Sequence, residues 1–252
     1  MEEPTAPIPP PPKPANKATI SIVKLAGALV VALACGGILV AVQAAREEAR
    51  KAYCCNNFMQ IGLALLAYES ANGAFPPAVS TDKGGKPMMS WRVAILPYLN
   101  EQALYQRYDP KQPWNSPRNR ALGNTAVPYF RCPSDPGTIE SPTETNYVRI
   151  VGKDTVAGAP NEQVTLSDIT DGTSNTIMLV EISGLNINWE EPRDVTVEEF
   201  MGMVAKGRAS NHPGGFQAAM ADGSVHFISY GIAPKTLRAL LLRNDGQPIG
   251  DY

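Results

Sequence analysis

The chain has 252 residues, 44% hydrophobic and 18% charged, enough for one sizeable packed core once an apolar N-terminal segment is set aside, and its 23 prolines and 21 glycines indicate many loops and short strands. A formal net charge of -2 with no stripe of Lys and Arg excludes nucleic acid as the partner, because phosphate binding relies on concentrated positive charge. Two histidines leave little material for a histidine-rich metal site, and none of the four cysteines forms a C-x-x-C pair, so no metal and no cofactor is expected.

Residues 1–19 hold seven prolines by position 14, including Pro9-Pro10-Pro11-Pro12, and lack the apolar content to fold. They read as a disordered, polyproline-prone tail. Residues 20–45 read as a transmembrane helix: Leu25 to Ala45 contains no charge and only Gln43 as a strongly polar side chain. At 1.5 Å per residue that stretch gives roughly 31 Å of helix, the thickness of a bilayer's hydrocarbon core. The lipid bilayer is therefore the first expected partner, through residues 25–45. The uncharged run exceeds the 7–15 residues of a signal-peptide core, which favours an uncleaved anchor, although Ala44-Ala45 keeps a cleaved leader open. Lys13, Lys17 and Lys24 before the span are matched by Arg46, Arg50 and Lys51 after it, so charge counting does not orient it.

Residues 46–252 form the expected head, beginning with a continuation of the same helix. Arg46 to Ala52 are good helix formers, with Glu47 and Lys51 at an i,i+4 spacing. Phe58, Met59, Ile61, Leu63, Leu65, Leu66 and Tyr68 then cover most of the circumference, which suits a helix buried in a groove. Asn72-Gly73 ends it. A short helix capped by Ser90, a short strand from Val127 to Cys132, a strand over Asn146–Val151 and a buried strand over Thr176–Ile182 follow. Helices are expected over Val197–Ala205 and Pro234–Arg243. Asp222-Gly223 is a two-residue hairpin turn, pairing Met220 with Val225, Ala218 with Phe227 and Phe216 with Ser229.

Among residues that could carry chemistry, Asp168 to Asn175 reads either as an Asx/ST turn entering a strand or as a calcium or anion loop, with the turn favoured. His212 and Asp222 are separated mostly by one extended strand, too long for a His/Asp dyad. No nucleophile elbow, H-E-x-x-H or Walker loop occurs, so no catalytic residue is assigned. In an extracytoplasmic head, Cys132 could pair with Cys54 or Cys55, closing a loop of about 78 residues worth up to ~4 kcal/mol. Three separate thiols are the alternative.

Several segments occur in a characteristic order: Ala41 to Arg50; Cys54 with Asn56-Asn57 and Gln60 to Ala64; Phe75-Pro76-Pro77-Ala78; Ser90-Trp91-Arg92 with Leu96-Pro97-Tyr98; Cys132-Pro133-Ser134-Asp135; Asp171-Gly172-Thr173-Ser174-Asn175-Thr176; and Asn211-His212-Pro213-Gly214-Gly215 through Asp222-Gly223-Ser224-Val225. Together they resemble the planctomycete family of prepilin-like proteins with the H-x9-D-G motif, a domain of unknown function sometimes labelled a bacterial solute-binding family. The resemblance covers about residues 41–230. It implies an α+β, type IV pilin-like fold: a long N-terminal helix packed on an antiparallel sheet, with short accessory helices. It also implies an inner-membrane protein with a cytoplasmic N-terminal tail and an extracytoplasmic head, a staple between Cys54 and Cys132, and structural roles for Asp171, Gly172, Asn175, His212, Gly214, Gly215, Asp222 and Gly223. The span here begins Ile22-Val23-Lys24-Leu25-Ala26-Gly27, without the glutamate that opens a prepilin helix, which points to a retained single-pass anchor. The expected role is a non-catalytic, pseudopilin-like assembly protein of the cell envelope, meeting other pilin-like subunits or envelope components. The alternative is a head that binds a small ligand or ion through Asp171–Asn175 or His212–Gly215.

Overall fold

The computed structural model describes residues 17–250, with backbone alone for 17–35, 138 and 139. The Pro-rich tail predicted over 1–19 lies, as far as residue 16, outside the described residues, as do the side chains of residues 25–35 of the predicted span. Among the described residues, no helix is long and apolar enough to cross a membrane. The chain divides into two compact units, one ending at Arg46 and one running from Glu47. Helix α1 (Lys17–Asn72) contributes to both. In the first unit Ile38, Leu39, Val40 and Val42 are exposed.

The second unit is a mixed α+β head. Its strands are β1 (Val79–Thr81), β2 (Pro87–Ser90), β3 (Glu144–Thr145), β4 (Tyr147–Val148), β5 (Ile150–Val151), β6 (Ile177–Glu181), β7 (Ile187–Asn188), β8 (Val195–Thr196), β9 (Gly215–Met220) and β10 (Val225–Ser229). The central sheet is antiparallel, ordered β10-β9-β6-β4; β1-β2 and β3-β7 are antiparallel ribbons, and β5-β8 is a parallel pair. Besides α1, the helices are α2 (Trp91–Ala94), α3 (Gln102–Tyr105), α4 (Pro117–Arg120), α5 (Pro136–Glu140), α6 (Val197–Ala205) and α7 (Pro234–Leu241).

Two apolar clusters flank the central sheet. On one side Cys54, Phe58, Ile61 and Leu65 of α1 pack with Trp91, Phe130, Tyr147, Leu179, Ala219 and Ala221. Their spacing of four, three and four residues keeps them on one face of the helix. Burying Phe58, Ile61 and Leu65 contributes roughly 1.5–3 kcal/mol apiece. On the other side Phe200 and Val204 of α6 and Leu237, Leu240 and Leu241 of α7 pack with Val180, Phe216, Ala218, Met220 and Ile228. Strand β9 is thus covered on both faces and all six of its residues are buried. It manages this with small side chains, since adjacent Ala218 and Ala219 face opposite layers.

Four local expectations are corrected. The helix is not enclosed in a groove: Tyr53, Met59 and Leu63 are exposed, because the buried stripe occupies a single face. Residues Val127 to Cys132 form no strand but a 3-10 turn at Pro128–Phe130, where Pro128 sits at the first turn. The strand expected over 146–151 is split into β4 and β5, which pair with different partners. Finally, the hairpin register is shifted by one, with Val225 opposite Ala219, Phe227 opposite Gln217 and Ile228 opposite Phe216. Gly223 donates to the Met220 carbonyl at 2.9 Å and Met220 N–H to Ser224 O at 2.8 Å, with Gly223 at φ 87°. That is a three-residue loop with a left-handed glycine rather than a two-residue turn. In consequence Ile228 is buried and Phe227 is turned outward.

Candidate functional site

The polar centre of the head lies between α1 and the central sheet. Val180 of β6 pairs with Ala218 of β9, which sets Glu181 beside Gln217, and the chain just before β9 carries His212. Tyr147 of β4 pairs with Glu181 on the other side. Cys132 is tied to the chain entering β4, donating its N–H to Asn146 Oδ1 at 2.7 Å. From α1, Cys54 points at the same spot, while Gln217 Nε2 donates to the Lys51 carbonyl at 2.8 Å and fixes the helix against β9.

Cys54, Cys132, Glu181 and His212 are thereby brought together, all buried, with one ligand-type atom from each within 4.8 Å of the others. The two sulfurs lie 2.9 Å apart as thiols, and Cys132 Sγ is 3.6 Å from His212 Nε2. Of the two cysteines that could face Cys132, Cys54 does so. Cys55 instead lines a surface groove with Gln217, Val225 and Phe227. His212 Nε2 approaches Glu181 Oε1 at 3.5 Å, and Nδ1 lies 2.6 Å from Glu47 Oε1. Glu47 in turn accepts from the Ser134 hydroxyl at 3.1 and 3.2 Å and from Arg50 at 3.4 Å. The expected Glu47–Lys51 surface pair does not form, because Glu47 is engaged by His212 and Lys51 bonds Glu48.

The surroundings hold these groups in place. His212 N–H donates to Ser210 Oγ, and the Tyr230 hydroxyl clamps Ser210 through both its N–H and its carbonyl. Asp135 accepts from Asn146, from the Gly137 N–H and from the Gly184 N–H, which orders the loop carrying Cys132 and Ser134. Burial works against a charged His212, yet the Cys132 sulfur and the Glu181 and Glu47 carboxylates outweigh it and raise the imidazole to about 9. Burial raises Glu181 against the opposing pull of His212. For Glu47 the desolvation cost is overcome by the hydrogen bonds from His212 and Ser134, which lower it. The Cys54 contact and burial both raise the Cys132 thiol. Neither oxygen of Glu181 completes a well-formed hydrogen bond, although His212, the Cys132 thiol, Ser210 and the Gln217 N–H all lie around the carboxyl. An acid left in this state inside a core is costly unless something else satisfies it.

The other motif residues sit elsewhere and serve the backbone. Asp171 accepts from the Asp245 and Gly246 N–H groups, Asn175 donates to the Asp171 carbonyl, and Gly172 takes φ 97° at the turn. Asp222 accepts from Ser224 N–H and hydroxyl at the hairpin tip and does not contact His212. Gly214 has φ 85°, and a Cβ on Gly215 would lie 2.2 Å from the Ile228 carbonyl oxygen. Sequence reasoning missed Glu181 and Glu47. For Glu181 a signal existed: an acid closing an otherwise apolar strand that is buried throughout.

The chain matches the family described as "Protein of unknown function (DUF1559)", SBP_bac_10, over residues 43–203 and 201–235. That is most of its length, and the chain belongs to this family. No curated protein and no solved structure matches it.

Proposed function

We propose, from the resemblance of its ordered motifs to prepilin-like proteins, that this protein is a membrane-anchored, pseudopilin-like assembly protein of the cell envelope. In this reading residues 25–45 span the inner membrane, the N-terminal tail is cytoplasmic, and the α+β head is presented outside it, without a catalytic step of its own. The carrying observation is the stripe Cys54, Phe58, Ile61 and Leu65 laid on an antiparallel sheet, while Tyr53, Met59 and Leu63 of the same helix are exposed. A pilin-like subunit needs that combination: one helix face for its own sheet and another for neighbouring subunits. The exposed apolar residues 38–40 and 42 suit a lipid environment. The test is fractionation of cells followed by crosslinking from a photoreactive residue at Met59 or Leu63. The reading expects the chain in alkali-resistant membranes, with crosslinks to like subunits from these positions and not from the buried 61 position. Recovery in the aqueous fraction, or no subunit crosslinks, would overturn it.

The alternative is a binding module that uses Asp171–Asn175 or His212–Gly215. The Asp171 carboxylate accepts from the N–H groups of residues 245 and 246, whereas His212 stands in a buried cluster with Cys54, Cys132 and Glu181.

A further inference from the structure

We propose that Cys54, Cys132, His212 and Glu181 form a closed, structural site for a thiophilic divalent metal ion, zinc being the chemical type. The inference is independent of the membrane reading above. Four-coordinate zinc with sulfur at about 2.3 Å and nitrogen or oxygen at about 2.0–2.2 Å requires ligand-to-ligand edges of roughly 3.3–3.8 Å. The Cys132 Sγ to His212 Nε2 edge is 3.6 Å and the His212 Nε2 to Glu181 Oε1 edge is 3.5 Å. The 2.9 Å sulfur pair has to open by about 0.8 Å on that geometry, and the remaining edges lie within 4.8 Å.

Three further observations point the same way. Glu181 is fully buried and its oxygens make no well-formed hydrogen bond despite the polar groups around them, so an ion at the centre would give the carboxylate the close partner it lacks. His212 places Nδ1 against Glu47 at 2.6 Å, which directs the lone pair of Nε2 toward the two sulfurs and Glu181. A carboxylate behind a histidine in this way is the usual outer support of a metal-bound imidazole. The ligands also come from α1, the loop before α5, the end of β6 and the loop before β9, so one ion would join the helix to three parts of the head. Two sulfurs select against magnesium and calcium, and full burial leaves no open position for substrate. Binding displaces the two thiol protons, and the Nε2 proton where the imidazole is charged, to solvent.

A disulfide between Cys54 and Cys132 is the exclusive alternative, since it consumes both thiolates and leaves the Glu181 oxygens unanswered. The experiment is elemental analysis of the full-length chain, purified in detergent without chelators, beside peptide mapping without reduction. Cobalt titration of the reduced, metal-stripped chain follows. One equivalent of metal, and a thiolate-to-cobalt absorption band that saturates at one equivalent, are expected. Glu47→Gln should weaken cobalt binding about 10- to 100-fold, and Cys132→Ser, which leaves Cys54 as a lone thiolate, should cut the band to about half or less, whereas Cys55→Ser should leave it unchanged. A metal-free chain carrying a Cys54–Cys132 disulfide would overturn the proposal. So would a reduced wild-type chain that gives no thiolate band, an outcome that does not depend on any variant folding.

Discussion

Replacing Asp194 by alanine should destabilise the head more than any loss of a surface ion pair. Its carboxylate meets Arg92 Nη2 at 2.7 Å, and the two side chains are 2% and 0% exposed. It also accepts from Trp91 Nε1 at 3.0 Å and from the Arg149 N–H at 3.0 Å. Without it the Arg92 guanidinium keeps the carbonyls of Tyr147, Glu191 and Arg193 and the Trp91 ring but loses its paired carboxylate, and remains charged inside the core. Leaving one member of a buried pair costs about 3–5 kcal/mol, and an orphaned buried donor about 1–3 kcal/mol. One local rearrangement can relieve several of these together, so the expected loss is about 5 kcal/mol, a large share of a typical 5–15 kcal/mol stability. Arg238→Ala, which breaks the exposed pair with Glu198, should cost under about 1 kcal/mol. The assay is equilibrium urea unfolding of the full-length chain, followed by tryptophan fluorescence. The double change Arg92→Met with Asp194→Leu should recover part of the loss, because Arg92 is then not stranded, while buried Arg149 keeps the Pro76 and Val156 carbonyls but still loses Asp194 as counter-charge. A loss below about 1 kcal/mol for Asp194→Ala would refute the reasoning.

Gly215→Ala should cost about 3 kcal/mol or prevent folding, because the new Cβ would lie 2.2 Å from a backbone oxygen of the paired strand, which cannot move aside alone. Gly62→Ala should do the opposite: its Cβ meets nothing closer than 3.6 Å, and the helix gains about 0.5–1 kcal/mol of propensity, read as a raised urea midpoint. The Glu190 carboxyl is pushed up to about 7 by burial, with Arg120 at 3.8 Å opposing. The folded chain keeps that proton while the unfolded chain releases it near the ordinary carboxylate value of about 4.3, so stability should fall as pH rises from about 4.5 to 7. With half-exposed Arg120 moderating the effect, the fall attributable to Glu190 should be about 2 kcal/mol. Glu190→Gln should flatten that part of the stability–pH curve, and an unchanged slope would count against it.

Local chemistry was legible where its cause was local. Helix α6 occupies the expected 197–205 because Thr196 and Glu199 cap each other reciprocally, and α1 stops at the predicted Asn72-Gly73, with Gly73 left-handed at φ 79°. The hairpin turn was recognisable, but its loop length was not. Aspartate followed by glycine is compatible with both a two-residue turn and a three-residue loop, and the difference of one residue decides whether Phe227 or Ile228 enters the core.

The candidate site was less legible, because it is assembled by register rather than by spacing. Cys54, Cys132 and His212 were visible as motif members, yet no periodicity says that three such distant positions converge. They meet because β6 runs antiparallel between β4 and β9, so the end of β6 lies beside the approach to β9. Glu181 occupies that end, and its apolar strand concealed the acid from a search for polar clusters. Glu47 was concealed differently: among Arg46, Glu48, Arg50 and Lys51 it looks like one more solvated charge, and only its place on the helix face above His212 separates it from Glu48. The same placement predicts a difference between the neighbours. Glu48→Gln removes an exposed pair and should change urea stability by under about 0.5 kcal/mol, whereas Glu47→Gln weakens the charge-assisted contact to a buried imidazole and should cost about 1.5–3 kcal/mol. Equal effects in the same unfolding assay would mean that the two acids are alike after all, and that His212 is held by Ser210 and Tyr230 rather than by the helix.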